Sequence, residues 1–261
     1  MSRFVSNRKN PSFVKLSFLA AVGLALLVPA QAADDSVAPT VFQAAGPTTT
    51  SIQSSVDQFR VALGVRQEIN WDGMGSTATT VSPNPLTNFQ STRGALFITP
   101  GTNFVQAPAL GLANTFGNPS YETIFVAFSP VRLFSPIGSN VTEVLFFVPG
   151  GGNIPATTTG FGAVLTDVDF PNGSGPGLKQ GNRGSSALFE YFGVNGELLF
   201  SGFAPASPGN GSQSFFGVVF SEARIARVRI TAGNAAPGPD DDGKADVVMM
   251  DDFLFGQPKA Q

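Results

Sequence analysis

The chain has 261 residues, of which 13% are charged, a formal net charge of −3, and neither cysteine nor histidine. Without thiols or imidazoles it can form no disulfide, no thiolate or histidine-ligated metal centre and no Ser-His-Asp or Cys-His catalytic set. The acidic balance argues against a nucleic-acid surface, which needs clustered Lys and Arg, and no Walker loop or strand-linked GxGxxG fingerprint points to nucleotide chemistry.

Arg3, Arg8, Lys9 and Lys15 precede an apolar run from Leu16 to Val28, then Ala30-Gln31-Ala32 and the first acidic pair, Asp34 and Asp35. Basic, apolar and small-residue segments in that order form a secretory signal peptide, so residues 1–32 are expected to be cleaved on export to a periplasmic or extracellular location. The apolar run is shorter than the roughly 20 residues of a spanning helix. One Trp and two Tyr are too few for the aromatic girdles of a transmembrane barrel. No membrane insertion is expected. Removing the four basic residues leaves eleven of fifteen against eighteen acidic ones.

Residues 33–50 are small, polar and Pro-containing and read as a flexible lead-in. Ile52, Val56, Phe59 and Leu63 then recur at helical spacing, with Ser51 as a candidate cap and Gly64 just past the end, which predicts one short helix. Everything beyond it reads as β-structure, in a single β-sandwich domain over 51–258. The strands are ALFIT (95–99), TIFVAF (123–128), TEVLFFV (142–148), FGAVLTDVDF (161–170), SALFEYF (186–192), ELLFSGF (197–203), SFFGVVF (214–220), RIARVRI (224–230) and VVMMDDFLF (247–255). Short β-branched and aromatic runs separated by Gly, Pro, Asn and Ser predict an all-β fold, an antiparallel jelly-roll sandwich. Asn195-Gly196 predicts a type I′ hairpin turn with two positive φ angles. TEVLFFV is apolar on both faces and should lie centrally. In RIARVRI, Ala226, Val228 and Ile230 share one face, Arg227 and Arg229 the other.

The stretch QEINWD reads as a strand with Gln67, Ile69 and Trp71 on one face and Glu68, Asn70 and Asp72 on the other. Trp71 should pack inward. A row of oxygens can be solvated or can hold a hard cation such as calcium, which takes six to eight oxygens. Three other acidic groupings compete: Asp167 with Asp169, Asp251 with Asp252, and Asp240, Asp242 and Asp246 around Gly243. The last has a DxDGxxD pattern without the flanking helices of an EF-hand.

QEINWDG, FFVPG followed by GFGAVLTDVDF, and MMDDFLFGQP resemble segments of a group of secreted bacterial proteins with REINWDG-like and DDFxFGEP-like motifs. The resemblance covers roughly residues 59–258. Gln67 stands where that group has Arg, and Gln257 where it has Glu. The final segment is also similar to the last strand of galactose-binding-like jelly rolls and of lectin-like domains in exosortase-sorted bacterial proteins. This resemblance implies a jelly-roll sandwich with its first and last strands adjacent and a structural calcium close by. Carried onto this chain, it draws Glu68 and Asp72 towards Asp251 and Asp252, the four residues expected to ligate the ion.

The functional expectation is an exported, non-catalytic domain that binds an extracellular polymer or glycan. Trp71, Tyr121 and Tyr191 are the ring-stacking candidates, and Asn118, Arg132, Asn153 and Arg183 the polar loop groups. A structural or matrix protein without a small ligand is the alternative. A jelly-roll hydrolase or lyase is less favoured: glycoside cleavage needs two carboxylates about 5–10 Å apart, and the pairs Glu68 with Asp72 or Asp167 with Asp169 offer that by spacing alone.

Overall fold

A computed structural model describes residues 38–169, 187–239 and 245–261. The expected signal peptide lies outside them, as do Arg183 and the loop residues Asp240, Asp242 and Gly243. In chain order the elements begin with β1 (Thr40–Gly46), α1 (Thr49–Leu63), β2 (Arg66–Ile69), β3 (Thr80–Pro83), α2 (Gln90–Arg93), β4 (Ala95–Ile98) and β5 (Asn103–Ala107). They continue with α3 (Ala109–Phe116), α4 (Tyr121–Ile124), β6 (Leu133–Ile137), β7 (Val141–Phe146), β8 (Ala156–Thr157) and β9 (Gly160–Thr166). The last are β10 (Leu188–Phe192), β11 (Leu198–Phe203), β12 (Gln213–Val219), β13 (Arg227–Thr231), β14 (Met249–Gly256) and β15 (Lys259–Ala260).

The larger antiparallel sheet runs β1-β12-β9-β14-β6-β5-β3, with β2 also on β14; the smaller runs β11-β10-β13-β7-β4. Both sheets contribute to one apolar core, in which Phe97, Val144, Phe146 and Phe189 of the smaller sheet meet Phe134, Phe161, Phe216, Phe253 and Phe255 of the larger. Ring pairs join the two, among them Phe97–Phe134 at 5.9 Å, Phe146–Phe255 at 5.4 Å and Phe189–Phe216 at 5.3 Å. Each buried Phe contributes about 1.5–3 kcal/mol of transfer free energy, which explains why a chain without disulfides is so rich in this residue.

The outer face of the larger sheet is covered by helices. The four apolar residues at helical spacing in α1, Ile52, Val56, Phe59 and Leu63, are buried against Val164, Phe215 and Leu254. Gly162 and Gly217, paired across β9 and β12, form the slot for the Phe59 ring. A Cβ at either would stand 2.8–3.0 Å from that ring. A second cluster packs Leu112, Phe116, Tyr121 and Phe125 on Val105, Leu133 and Met249. The outer face of the smaller sheet, with Glu143, Glu190, Arg227 and Arg229, carries no such cover among the described residues.

Several expectations are corrected here. The lead-in over 33–50 contains β1, paired with β12 over its whole length, because backbone ladder bonds do not require bulky side chains. The helix starts from Thr48 as its N-cap residue, which places Ser51 inside it. Three further helices follow among the described residues, contrary to a chain that is all β beyond Gly64. TIFVAF is not a strand: Thr123 and Ile124 close α4, and the next backbone groups are satisfied by side chains. Thr166 Oγ1 accepts from the Val126 N–H at 3.2 Å, Gln213 Nε2 donates to the Val126 carbonyl at 2.8 Å, and Asp251 Oδ2 accepts from the Phe128 N–H at 2.7 Å. Such bonds compete directly with a sheet ladder.

The β10–β11 hairpin is present, but its turn is not type I′. Positive φ falls on Gly196 and not on Asn195. The Gly196 N–H bonds the Gly193 carbonyl at 3.1 Å, and the register shifts between Tyr191 and Phe192, as in a longer loop closed by a left-handed glycine. β7 has neighbours on both sides, yet its burial alternates, since one face looks outward. β13 buries Val228 and Ile230 and leaves its arginines half-exposed.

Candidate cation site and carboxylate network

β14 brings together the four carboxylates singled out for calcium. It pairs with β2, placing Leu254 opposite Glu68, and it has an extra residue at Asp252, where the register on β9 shifts. Such a bulge re-aims side chains that a regular strand would send to opposite faces. Ser129 lies between two of the acids: its hydroxyl bonds Asp252 Oδ1 at 2.5 Å and Asp72 Oδ2 at 3.2 Å. Asp72 Oδ1 accepts from the Val131 and Arg132 N–H groups at 2.6 and 2.9 Å. Asp251 accepts from the Phe128, Ser129 and Asp252 N–H groups.

Arg60, on the last turn of α1, supplies the positive charge. Its guanidinium reaches Glu68 at 3.2 Å and Asp252 at 3.4 Å, and Arg66 adds a second bond to Glu68. Burial pushes the Asp251 carboxyl well above its ordinary range, reinforced by the adjacent Asp252 charge and only partly offset by three N–H donors. Burial also raises Asp252, against the Ser129 hydroxyl and Arg60. Burial would raise Glu68 too, but Arg66 and Arg60 together outweigh it and hold the group below its usual value. These four acids are therefore adjacent, and their oxygens are engaged by a guanidinium, a hydroxyl and backbone donors. The arrangement ties α1, β2, the 128–132 segment and β14 together.

A different set of acids converges without such spacing. Asp167, Asp169 and Asp246 place carboxylate oxygens within 4.8 Å of one another. Asp167, immediately after β9, is in a left-handed conformation, φ 69°, which turns the chain out of the sheet. Its N–H still bonds the Ser212 carbonyl at 3.1 Å. Asp169 lies two residues on: its N–H reaches Asp246 Oδ2 at 3.3 Å, and its Oδ1 accepts from the Gly209 N–H at 2.8 Å. Asp246 is held by Asn234, whose Oδ1 accepts the Asp246 N–H at 2.7 Å and whose N–H returns a bond to the Asp246 carbonyl at 2.9 Å. Asp167 and Asp246 are buried and Asp169 is partly so. Three oxygen donors with no nitrogen or sulfur suit a hard cation, so this triad can hold a metal ion.

The other candidates are less accessible than their residue types suggest. Trp71 is 2% exposed and Tyr121 and Tyr191 are 0% exposed, so none offers a stacking face. Trp71 lies inward as expected, stacked on Phe134 at 3.8 Å, although β2 ends at Ile69 and Trp71 itself has φ 62°. Arg132 and Asn118 are buried, whereas Asn153 is exposed and accepts from Gln90 at 2.9 Å.

Fold and site together define an all-β protein of antiparallel sheets in which, among the described residues, one acidic triad could hold a metal ion. No helix among the described residues is long and apolar enough to cross a membrane. Compared with known proteins, the chain matches no family model, no curated protein and no solved structure.

Proposed function

We propose that this protein is an exported, non-catalytic β domain that holds a structural calcium ion at Asp167, Asp169 and Asp246 and contacts an extracellular polymer or glycan through exposed loop groups. The observation that carries the reading is the meeting of three carboxylates from two segments, Asp169 and Asp246 being 77 positions apart. Like charges brought so close repel, and a divalent cation is the ordinary remedy. Calcium is preferred over magnesium because irregular loop geometry suits a flexible oxygen shell better than a strict octahedron. The finer fold reading, a jelly-roll sandwich, rests on two antiparallel sheets sharing one aromatic core.

The non-catalytic reading is supported by how the candidate acid pairs are used. Glu68 is tied to two arginines and Asp72 to backbone donors, so the oxygens of this pair are already engaged within the fold. Burial of Trp71, Tyr121 and Tyr191 favours the alternative, a structural or matrix role without a small ligand. A polysaccharide panel separates these readings: co-sedimentation without release of reducing sugar supports binding, release of sugar contradicts the non-catalytic reading, and no co-sedimentation with any polymer supports the matrix role. The calcium assignment is tested by titration calorimetry, with loss of the binding heat expected for Asp169→Asn.

A further inference from the structure

The chain has no cysteine and four methionines, so its thioethers are the sulfur groups open to oxidation. Met249 and Met250 lie in β14 and are 0% exposed, whereas Met74 is 106% exposed, as open to solvent as in an extended peptide. Met1 lies outside the described residues. Met74 also has φ 64°, a left-handed conformation that is an outlier for a bulky side chain. A fully exposed side chain gains nothing from burial. Neither packing nor backbone preference therefore accounts for a methionine at this position.

The loop that carries Met74 is closed and anchored at its base. The Ser76 N–H bonds the Asp72 carbonyl at 2.8 Å, and the Asp72 carboxylate accepts from the Val131 and Arg132 N–H groups. Arg132 is itself buried and donates to Thr80 Oγ1 at 3.1 Å. Gly73, at φ 53°, lies so close to the Arg132 guanidinium that a Cβ has no room there. Gly75, at φ 82°, has open space where its Cβ would stand. The base is thus fixed on Val131 and Arg132 while the tip projects freely. With a glycine on each side, neither sequence neighbour shields the Met74 sulfur.

We propose that Met74 is a reversible oxidation site, which takes an oxygen atom from hydrogen peroxide and is restored by a thiol-dependent methionine sulfoxide reductase. In the forward step a sulfur lone pair attacks one peroxide oxygen, so that an S–O bond forms and the O–O bond breaks. The departing hydroxide takes the proton of the transferred oxygen and leaves as water. The sulfur loses two electrons and the peroxide gains them. In the return step a dithiol supplies two electrons and becomes a disulfide, and the sulfoxide oxygen leaves as water. Oxidation makes an apolar side chain polar, which disrupts a core but not a loop tip without packing partners. Met74 therefore reacts in the folded state, whereas Met249 and Met250 react only when β14 opens. The same exposure that admits peroxide admits the reductase.

The test is peptide mapping of the purified protein after treatment with millimolar hydrogen peroxide. Tryptic cleavage separates Met74, in residues 67–93, from Met249 and Met250, in residues 245–259. The 67–93 peptide should gain one oxygen at least about tenfold faster than the 245–259 peptide. The melting temperature should not change, and methionine sulfoxide reductase with dithiothreitol should remove the oxygen. Met74→Leu keeps an apolar side chain of similar size and should leave the 67–93 peptide unoxidised. Met74→Gly, which suits the left-handed backbone, should do likewise and guards against a leucine variant that folds poorly. Equal oxidation of the two peptides overturns the proposal, as does oxygen uptake by the 67–93 peptide in both variants. So does a sulfoxide that lowers the melting temperature or that the reductase leaves in place.

Discussion

Around Arg60 the acids are bridged by a guanidinium and a hydroxyl, whereas around Asp246 three carboxylates converge on one another. In the first region a guanidinium bridges Glu68 and Asp252, the Ser129 hydroxyl bridges Asp252 and Asp72, and backbone N–H groups bond Asp72 and Asp251. In the second, three carboxylates from two loops bring oxygens within 4.8 Å. The same residue type thus serves two purposes: acids bridged by a guanidinium and a hydroxyl form a clasp, and carboxylates that converge on one another form a cradle.

The largest effect is expected at the heart of the clasp. Asp251→Ala leaves three backbone N–H groups in a buried site, each costing about 1–3 kcal/mol, so the urea midpoint should fall by the equivalent of about 3 kcal/mol or more. Unchanged stability would show that the 128–132 segment is held by other means. Arg60→Ala strands the buried Asp252 and frees Glu68. Because the guanidinium is 21% exposed, the cost is discounted to about 1–2 kcal/mol, again read from denaturant midpoints.

Titration sharpens the same comparison. Glu68, held low, contributes stability that is complete above its unfolded value of about 4.3 and is lost as pH falls through its folded value. Asp251 and Asp252, pushed up, contribute stability that is complete below about 3.9 and is lost as pH rises through their folded values. Asp252→Asn keeps an acceptor for Ser129 and removes one titrating group. The decline of stability above pH about 4 should be shallower in this variant, and an identical pH profile would contradict the assignment. The smallest effect belongs to the cradle without its ion: in EDTA, Asp169→Asn should shift stability by less than about 0.5 kcal/mol, checked by thermal unfolding.

Strands with long apolar or alternating runs, such as VVMMDDFLF and RIARVRI, were legible because their side chains face a core on at least one side. β1 and β3 were not, since TVFQAAG and TVSP offer small or polar residues and gain their order from partners far along the chain. TIFVAF has strand propensity, but the Asp251, Thr166 and Gln213 side chains claim its backbone groups. The eight residues of α3 are too few for helical periodicity to stand out, although Gly117, left-handed at φ 69°, marks its end. At the site, the adjacency of β2 and β14 was legible through resemblance, but the role of Arg60 was not, because nothing in α1 distinguishes an arginine aimed at β14 from a solvated one. Asp167 with Asp169 was visible as a pair, and Asp246 as part of a separate acidic loop. Only the fold joins them.

The most direct measurement is thermal unfolding of the wild-type protein in EDTA and in millimolar calcium, with Asp169→Asn alongside. An ion bound at one hundred times its dissociation constant adds about 2.7 kcal/mol, so a rise of several degrees is expected in the wild type and none in the variant. Equal melting temperatures in EDTA and calcium for the wild type would contradict the cation site.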